Sequence, residues 1–212
     1  MQRIQVFVVL PPRLTLLDIA GPLEVLRRAN REQNNVRFDV RYIGASRSVL
    51  TSIGILVASI EPLPAKLPDG AMIVVAGDVD KVMMPSNQTY RDTSKTDKRH
   101  EAAIVKWLRA VVRPGHKLIA ICSGALMTGE AGLLDGHNCT THYLCCEKLA
   151  AIAPNGEGSG RSPVCGRRRA VLQCWNHGWC RSDASYCRST YRRILRRSHR
   201  ALPCRLSSAQ WC

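Results

Sequence analysis

The sequence predicts an α/β fold, a parallel sheet with helices on both faces. Three short segments, residues 4–10, 71–76 and 117–121, are almost wholly apolar, which is typical of strands buried on both faces. The stretches between them carry helical apolar spacing or polar loops. Strands that alternate with helices in this way form a parallel sheet between two helix layers.

The first part of the chain predicts three strands and one helix. Residues 4–10 are stopped by two prolines, and Asp18 then lies in a loop that enters a helix with Pro22 near its first turn. Residues 36–43 alternate as a second strand, and residues 54–60 suggest another short one.

The second half continues the alternation. The strand at 71–76 ends at Gly77, and residues 86–99 are polar and predict a surface loop. Residues 100–112 carry apolar side chains at helical spacing, and the strand at 117–121 runs straight into Cys122 and a further helix. We expect these elements to form one domain over residues 1–153.

Residues 154–212 differ in composition from this domain. They hold twelve arginines and no lysine against two acidic residues, together with six of the ten cysteines and three of the four tryptophans. We therefore place a boundary at 153/154 and expect a basic, poorly packed tail that leaves the sheet incomplete at its C-terminal end.

The chain offers no signal for a membrane or for export. No apolar run is long enough to span a bilayer, and the apolar start is too short and lacks the small-residue cleavage site of a signal peptide. We expect a cytoplasmic protein. The cysteines at 139, 145 and 146 lack the spacing of metal ligands, so neither a metal nor a cofactor is expected.

Cys122 is the main candidate for chemistry. A cysteine between a buried strand and a helix, with Gly124 two positions on, fits a nucleophile elbow, where the positive end of the helix favours thiolate. Ligands of parallel sheets bind at the carboxyl ends of the strands. Cys122, Gly77 and Asp18 all follow such ends, so we expect one pocket with Asp18 as proton carrier for Cys122.

Each candidate also has a structural interpretation. A cysteine after a strand is often a small buried hydrophobe, although the turn favours a pocket residue here. Asp18 is equally placed to cap the helix that follows it. His142 precedes the helical stretch 143–151 and suits capping or packing better than base catalysis, which leaves it a weak candidate for ligand binding.

Three motifs together resemble one known family. They are LDIAGPLEV at 17–25, ICSGALMTGEAGLLDG at 121–136 and TTHY at 140–143. Residues 1–153 are similar to the ThiJ/PfpI-like branch of the class I glutamine-amidotransferase-like proteins, and most of all to the N-terminal domain of AraC-family transcriptional regulators.

The resemblance implies a flavodoxin-like sheet, frequent homodimers, and a pocket lined by Cys122, Asp18, Gly77, Ser123 and Gly124. In the regulators this pocket senses a small molecule, and a separate helix-turn-helix domain, which we expect this chain to lack, binds DNA. Related enzymes, including isonitrile hydratases, use an Asp and a Cys that match Asp18 and Cys122. Peptidase-like members have a His where this chain has Ser123. We favour sensing and leave the enzyme as the alternative.

The tail lacks the strand, Glu-Asp-Gly turn and helix that the family has next. The stretch QCWNHGWC at 173–180 has few possible codons, and advancing its reading by one nucleotide permits SAGITAGV, the family's helix opening. The same shift at residues 164–168 permits FVEDG. We infer a reading-frame shift near Pro154.

Three rival interpretations of the tail remain. The first is a zinc module, although the tail lacks the paired short spacings of zinc ligands. The second is an arginine-rich arm that binds phosphate groups. The third is a disulfide framework, which conflicts with a cytoplasmic body.

Overall fold

The computed structural model describes residues 1–79, 82–83, 94–137 and 139–154, together with the backbone of 164–167 and 170–173. One compact unit spans Met1–Asn176, and the second, His177–Cys212, lies outside the described residues. The strands are β1 (Gln2–Val9), β2 (Arg13–Leu14), β3 (Val36–Gly44), β4 (Ser48–Thr51), β5 (Leu56–Ala58), β6 (Glu61–Pro62), β7 (Met72–Val75), β8 (Lys117–Ile121), β9 (Val164–Arg167) and β10 (Ala170–Gln173). The helices are α1 (Leu16–Glu32), α2 (Ser94–Val111), α3 (Gly124–Glu130) and α4 (Cys146–Ile152), and Tyr143–Cys145 forms a 3₁₀ turn.

The main sheet has the order β6-β3-β1-β7-β8-β10-β9, and all of its pairs are parallel except that of β9 with β10. The chain passes from β1 outward to β3 and later returns to pair β7 with the other side of β1. This reversal between β1 and β7 is the topological switch point, where the carboxyl ends of strands leave a crevice. The flavodoxin-like fold class is thereby confirmed.

The sheet is covered on both faces, as its apolar strands predict. All residues of Val6–Val9 in β1 and of Met72–Val75 in β7 are buried. Successive residues of a strand point to opposite faces, so both faces of these two strands are covered. The buried side chains form separate hydrophobic clusters, one that includes Trp107 of α2 and another that includes Leu134 and Leu149.

Two elements differ from the sequence expectation in their bounds. Helix α1 begins at Leu16, before Asp18, so Pro22 lies inside the helix rather than in its first turn. Helix α2 begins at Ser94 rather than at residue 100. Its first turns carry mostly polar side chains, and for this reason apolar periodicity alone does not mark where the helix starts.

The expectation of a sheet left incomplete after residue 153 is corrected in one respect. Strand β10 pairs in parallel with the edge of β8, and β9 pairs with β10. An open strand edge presents unpaired N–H and C=O groups, which an extended segment of almost any sequence can satisfy. The rest of the predicted tail, and with it the rival zinc, phosphate-binding and disulfide interpretations, lies outside the described residues.

A second, three-stranded sheet has the order β2-β4-β5 and was not expected from the sequence. Its strand β2 is only two residues long, too short to show any period. An isolated antiparallel bridge joins Leu14 of β2 to Asp78, which follows β7. The small sheet thereby fixes the chain just before α1 beside the end of β7.

No helix among the described residues has both the length and the apolar character that crossing a bilayer requires.

Helix α3 approaches β7 too closely for any side chain at Gly124. A Cβ there would lie 2.4 Å from the carbonyl oxygen of Val75 and 2.8 Å from that of Ala76. We predict that Gly124→Ala lowers the free energy of unfolding by about 3 kcal/mol or more, measured in urea. The control is Gly132→Ala, where φ is +72° and no atom is close, and we expect it to cost only about 1 kcal/mol. Equal losses would contradict close packing at Gly124.

Candidate functional site

Asp18 lies in the first turn of α1, and its carboxyl group binds the turn that follows β7. Thr15 occupies the N-cap position, while Oδ2 of Asp18 accepts a hydrogen bond of 3.0 Å from the N–H of Gly77. The Asp18 side chain also forms a hydrogen bond with that of Cys122. Only 2% of Asp18 is exposed. The carboxyl group of Asp18 therefore contacts Gly77 and Cys122, and Thr15 rather than Asp18 occupies the cap position.

Cys122 occupies the turn between β8 and α3 with a left-handed backbone, φ = +54°. Residues other than glycine adopt this conformation at a cost of about 1 to 2 kcal/mol. It turns the side chain out of the path of strand and helix, which is the geometry of a nucleophile elbow. Cys122 is partly exposed, so its thiol is not a fully buried hydrophobe.

Gly77 lies at the centre of the site. A Cβ at this position would lie 2.4 Å from Oδ2 of Asp18, 3.0 Å from Oγ of Ser123 and 3.1 Å from Cβ of Cys122. The structure therefore brings Asp18, Gly77, Cys122 and Ser123 together at the carboxyl ends of β7 and β8. A side chain at residue 77 would displace the Asp18 carboxyl group from Cys122.

Ser123 joins the elbow to the turn after β7. Its hydroxyl donates to the carbonyl of Asp78 and accepts from the N–H of Asp78, both at 2.8 Å. These two bonds use the donor and one acceptor position of the hydroxyl group, which thereby holds the backbone of Asp78 in place. Gly124, which follows it, lies beneath the carbonyl groups of β7.

Thr141 also contacts the elbow. Its Oγ1 donates a 3.0 Å hydrogen bond to the carbonyl oxygen of Cys122, and only 3% of the residue is exposed. His142 follows it and caps the 3₁₀ turn, since its Nδ1 accepts from the N–H of Leu144 at 3.4 Å. The ring of His142 also lies 4.5 Å from that of Tyr143, centroid to centroid.

Burial sets the protonation behaviour of Asp18. Loss of hydration raises its pKa to about 6, against the opposing effects of hydrogen bonds from the Gly77 N–H and the Cys122 thiol. A carboxyl group that gains and loses its proton this close to neutrality can act as a proton donor or acceptor for a neighbouring thiol or ligand.

A charged cluster that the sequence does not predict lies beside this site. Arg13 bonds the carboxylates of Asp78 at 2.9 Å, Glu101 at 3.0 Å and Asp97 at 3.2 Å, and its Nε donates to the carbonyl of Val79 at 2.7 Å. Its members lie 65 to 88 positions from Arg13 in sequence and carry no shared motif. Only the fold could reveal the cluster.

The cluster holds three carboxylates around one guanidinium group. Burial raises the pKa of Asp78 well above its ordinary range, and a hydrogen bond with Glu101 raises it further, while Arg13 opposes both effects. The Asp78 backbone is bonded to Ser123, and the N–H of the preceding Gly77 is bonded to Asp18. Asp97 and Glu101 belong to helix α2, so the cluster ties the turn at Gly77 and Asp78 to that helix.

Nothing in the described part of the chain groups three or more His, Cys, Asp or Glu side chains so that they could hold a metal ion. The site itself presents the thiol of Cys122, the carboxyl group of Asp18 and the backbone N–H of Gly77. Such a site can bind a small polar molecule, and it can also form a covalent bond to an electrophilic carbon.

The parallel sheet and the cysteine elbow define an α/β protein with a site at the strand-to-helix corner. The profile of the DJ-1/PfpI family matches residues 4–165, and the chain belongs to this family.

Similar proteins include both uncharacterised members and regulators. An uncharacterized protein in the cpoL 5' region of Streptomyces lividans is 29% identical over 143 residues, which cover 67% of this chain and 89% of that protein. The HTH-type transcriptional regulator GbdR of Pseudomonas aeruginosa is 38% identical over 50 residues, which cover 24% of this chain and 14% of that regulator.

Solved structures share the fold at low sequence identity. A THiJ/PfpI family protein from Pseudomonas syringae has a TM-score of 0.62 and 18% identity, covering 97% of this chain and 79% of that one. An AraC family transcriptional regulator from Pseudomonas putida has a TM-score of 0.56 and 18% identity, covering 90% and 93%.

The raised pKa of Asp18 predicts how stability depends on pH. A carboxyl group whose pKa is raised by folding makes its full contribution to the free energy of unfolding below pH 3.8. That contribution is lost as the pH rises through about 6. The free energy of unfolding of the wild type should therefore fall by about 3 kcal/mol relative to Asp18→Asn across that range, measured in urea. Asp135→Asn, at an exposed position, is the matched control for the substitution itself. A constant difference for Asp18→Asn would contradict burial of the carboxyl group.

Proposed function

We propose that this chain contains the small-molecule-sensing domain of an AraC-type transcriptional regulator. The observation that carries the proposal is the convergence of Asp18, Gly77 and Cys122 at the switch point of the sheet. Support comes from the similarity to GbdR and from the AraC-family neighbours of the fold. The ligand is a small polar molecule, and contact with DNA belongs to a separate helix-turn-helix domain. The proposed setting is the cytoplasm.

The site suits binding because its groups are already arranged. The carboxyl of Asp18 is held by Gly77, and the thiol of Cys122 is held at the elbow. Ser123 stands next to the thiol where peptidase-like relatives have a His, and its hydroxyl is engaged with the Asp78 backbone. Ser123 therefore cannot replace that His as a base, which favours recognition over proteolysis.

The second candidate is a cysteine-dependent hydratase of the isonitrile type. It is favoured by the hydrogen bond between a thiol and a carboxyl group whose pKa is about 6. The sulfur of Cys122 would bond to the terminal isonitrile carbon while Asp18 delivers a proton to the same carbon, giving a thioimidate. Water would then add to this carbon, and loss of the thiol would leave the N-substituted formamide.

One experiment separates the two candidates. Ligand-detected NMR of the full chain is recorded with a panel of small amines, amino acids, carboxylates and an alkyl isonitrile. Sensing predicts that at least one compound binds and is recovered unchanged, with affinity about tenfold or more lower in Cys122→Met. The matched control is Cys146→Met, at an exposed cysteine, which should bind as the wild type does.

Formamide production that requires Cys122 would instead establish the hydratase. Binding equally strong in wild type and Cys122→Met, with no turnover, would contradict both candidates.

A homodimer is also proposed. Large apolar side chains at the turn between β4 and β5, Ile53, Ile55 and Leu56, are between 41% and 60% exposed. Burying such side chains in a second copy removes apolar surface from water. Sedimentation velocity of the full chain should show a dimer that Leu56→Lys weakens, and a monomer at all concentrations would contradict the proposal.

The reading frame after Pro154 is proposed to be shifted by one nucleotide. The support is the change of composition at this point and the family-like sequence that the shifted codons permit at 164–168 and 173–180. Resequencing the gene across codons 150–180 should find the insertion or deletion. A confirmed frame with no such difference would contradict the proposal.

A further inference from the structure

The backbone of Cys122 needs to be held, because its left-handed conformation is unfavourable for a residue with a side chain. Two anchors act on the residues that follow it. Gly124 lies against the carbonyl groups of β7, and Ser123 is bonded twice to the backbone of Asp78. Neither anchor acts on the carbonyl group of Cys122 itself.

Thr141 supplies the anchor for that carbonyl. Its Oγ1 donates to the Cys122 oxygen at 3.0 Å, whereas the bond from within the elbow, from the N–H of Ala125, is long at 3.4 Å. The residue is buried, so water does not compete for the bond. The carbonyl orientation of Cys122 therefore depends mainly on a hydroxyl that lies 19 positions away in sequence.

The segment that carries Thr141 is itself fixed to the elbow. Cys139, Leu149 and Ala153 pack in one buried cluster with Ala120 of β8 and Ala125 of α3. The hydroxyl of Thr141 thus approaches the elbow from a packed support rather than from a loop that could follow a movement of the cysteine.

We propose that Thr141 is a positioning residue, whose hydroxyl holds the Cys122 peptide so that the elbow keeps its left-handed backbone and the thiol stays against Asp18. Without this bond the peptide can rotate toward the more favourable negative-φ region, which carries the sulfur away from the carboxyl group. The inference rests on the proposed Asp18–Cys122 site and adds the residue that sets its geometry.

The test is the pH dependence of Cys122 alkylation by iodoacetamide in the full chain, followed by peptide mass spectrometry, with exposed Cys146 as internal reference. A thiol and a carboxyl group that share a hydrogen bond titrate as a pair. The rate of Cys122 alkylation in the wild type should therefore show a first, small increase near pH 6, the low step, before its main rise at higher pH. Asp18→Asn should remove the low step.

Thr141→Val keeps the shape of the side chain and removes the hydroxyl. We expect it to lose the low step as Asp18→Asn does and to change the alkylation rate at pH 7 at least threefold. Thr141→Ser should restore the wild-type profile. The matched control is Thr128→Val, which removes an equally buried threonine hydroxyl bonded to the carbonyl of Ala125 at 2.9 Å and should keep the step.

Two further results decide the inference where Thr141→Val does not fold. Thr141→Ala, which has no misplaced methyl group, should also lose the low step, and adding Thr141→Ala to Asp18→Asn should change the profile no further. A folded Thr141 variant that retains the step, while Asp18→Asn loses it, overturns the role of Thr141 alone. Asp18→Asn with an unchanged profile removes the Asp18–Cys122 pair and the proposed function with it.

Discussion

The left-handed backbone of Cys122 is the constraint on which the site depends. A residue with a side chain adopts φ = +54° only where its surroundings leave no better choice. The tight approach of α3 to β7 at Gly124 and the two bonds of Ser123 to Asp78 supply such surroundings. The result is a thiol that projects from the strand end toward a buried carboxyl group rather than into the core.

Much of this arrangement is readable from the sequence because it lies in local patterns. The apolar run at Lys117–Ile121 marks the strand that leads to Cys122, and this strand has the predicted bounds. Gly77 and Asp18 follow other strand ends, and topology brings such ends together. Local pattern cannot decide between capping and pocket roles for Asp18, because that choice depends on the turn after β7, which is remote in sequence.

What the sequence did not predict is tertiary in origin. Arg13 contacts Asp78, Asp97 and Glu101 only when β2, β7 and α2 have come together in the fold. No spacing in the sequence therefore predicts the cluster. The bond from Thr141 to the elbow is of the same kind. Strand β10 was missed for a different reason: pairing with the edge of β8 depends on backbone groups, and these leave little trace in the side-chain pattern.

The most direct test of the buried pair is a ¹³C NMR titration of the Asp18 carboxyl group in the full chain. The structure predicts a midpoint near pH 6, and a higher midpoint in Cys122→Ala, because the lost thiol hydrogen bond stabilised the ionised carboxylate. A midpoint near the ordinary value of 3.8, unchanged by the loss of the thiol, would contradict a buried Asp18 in contact with Cys122.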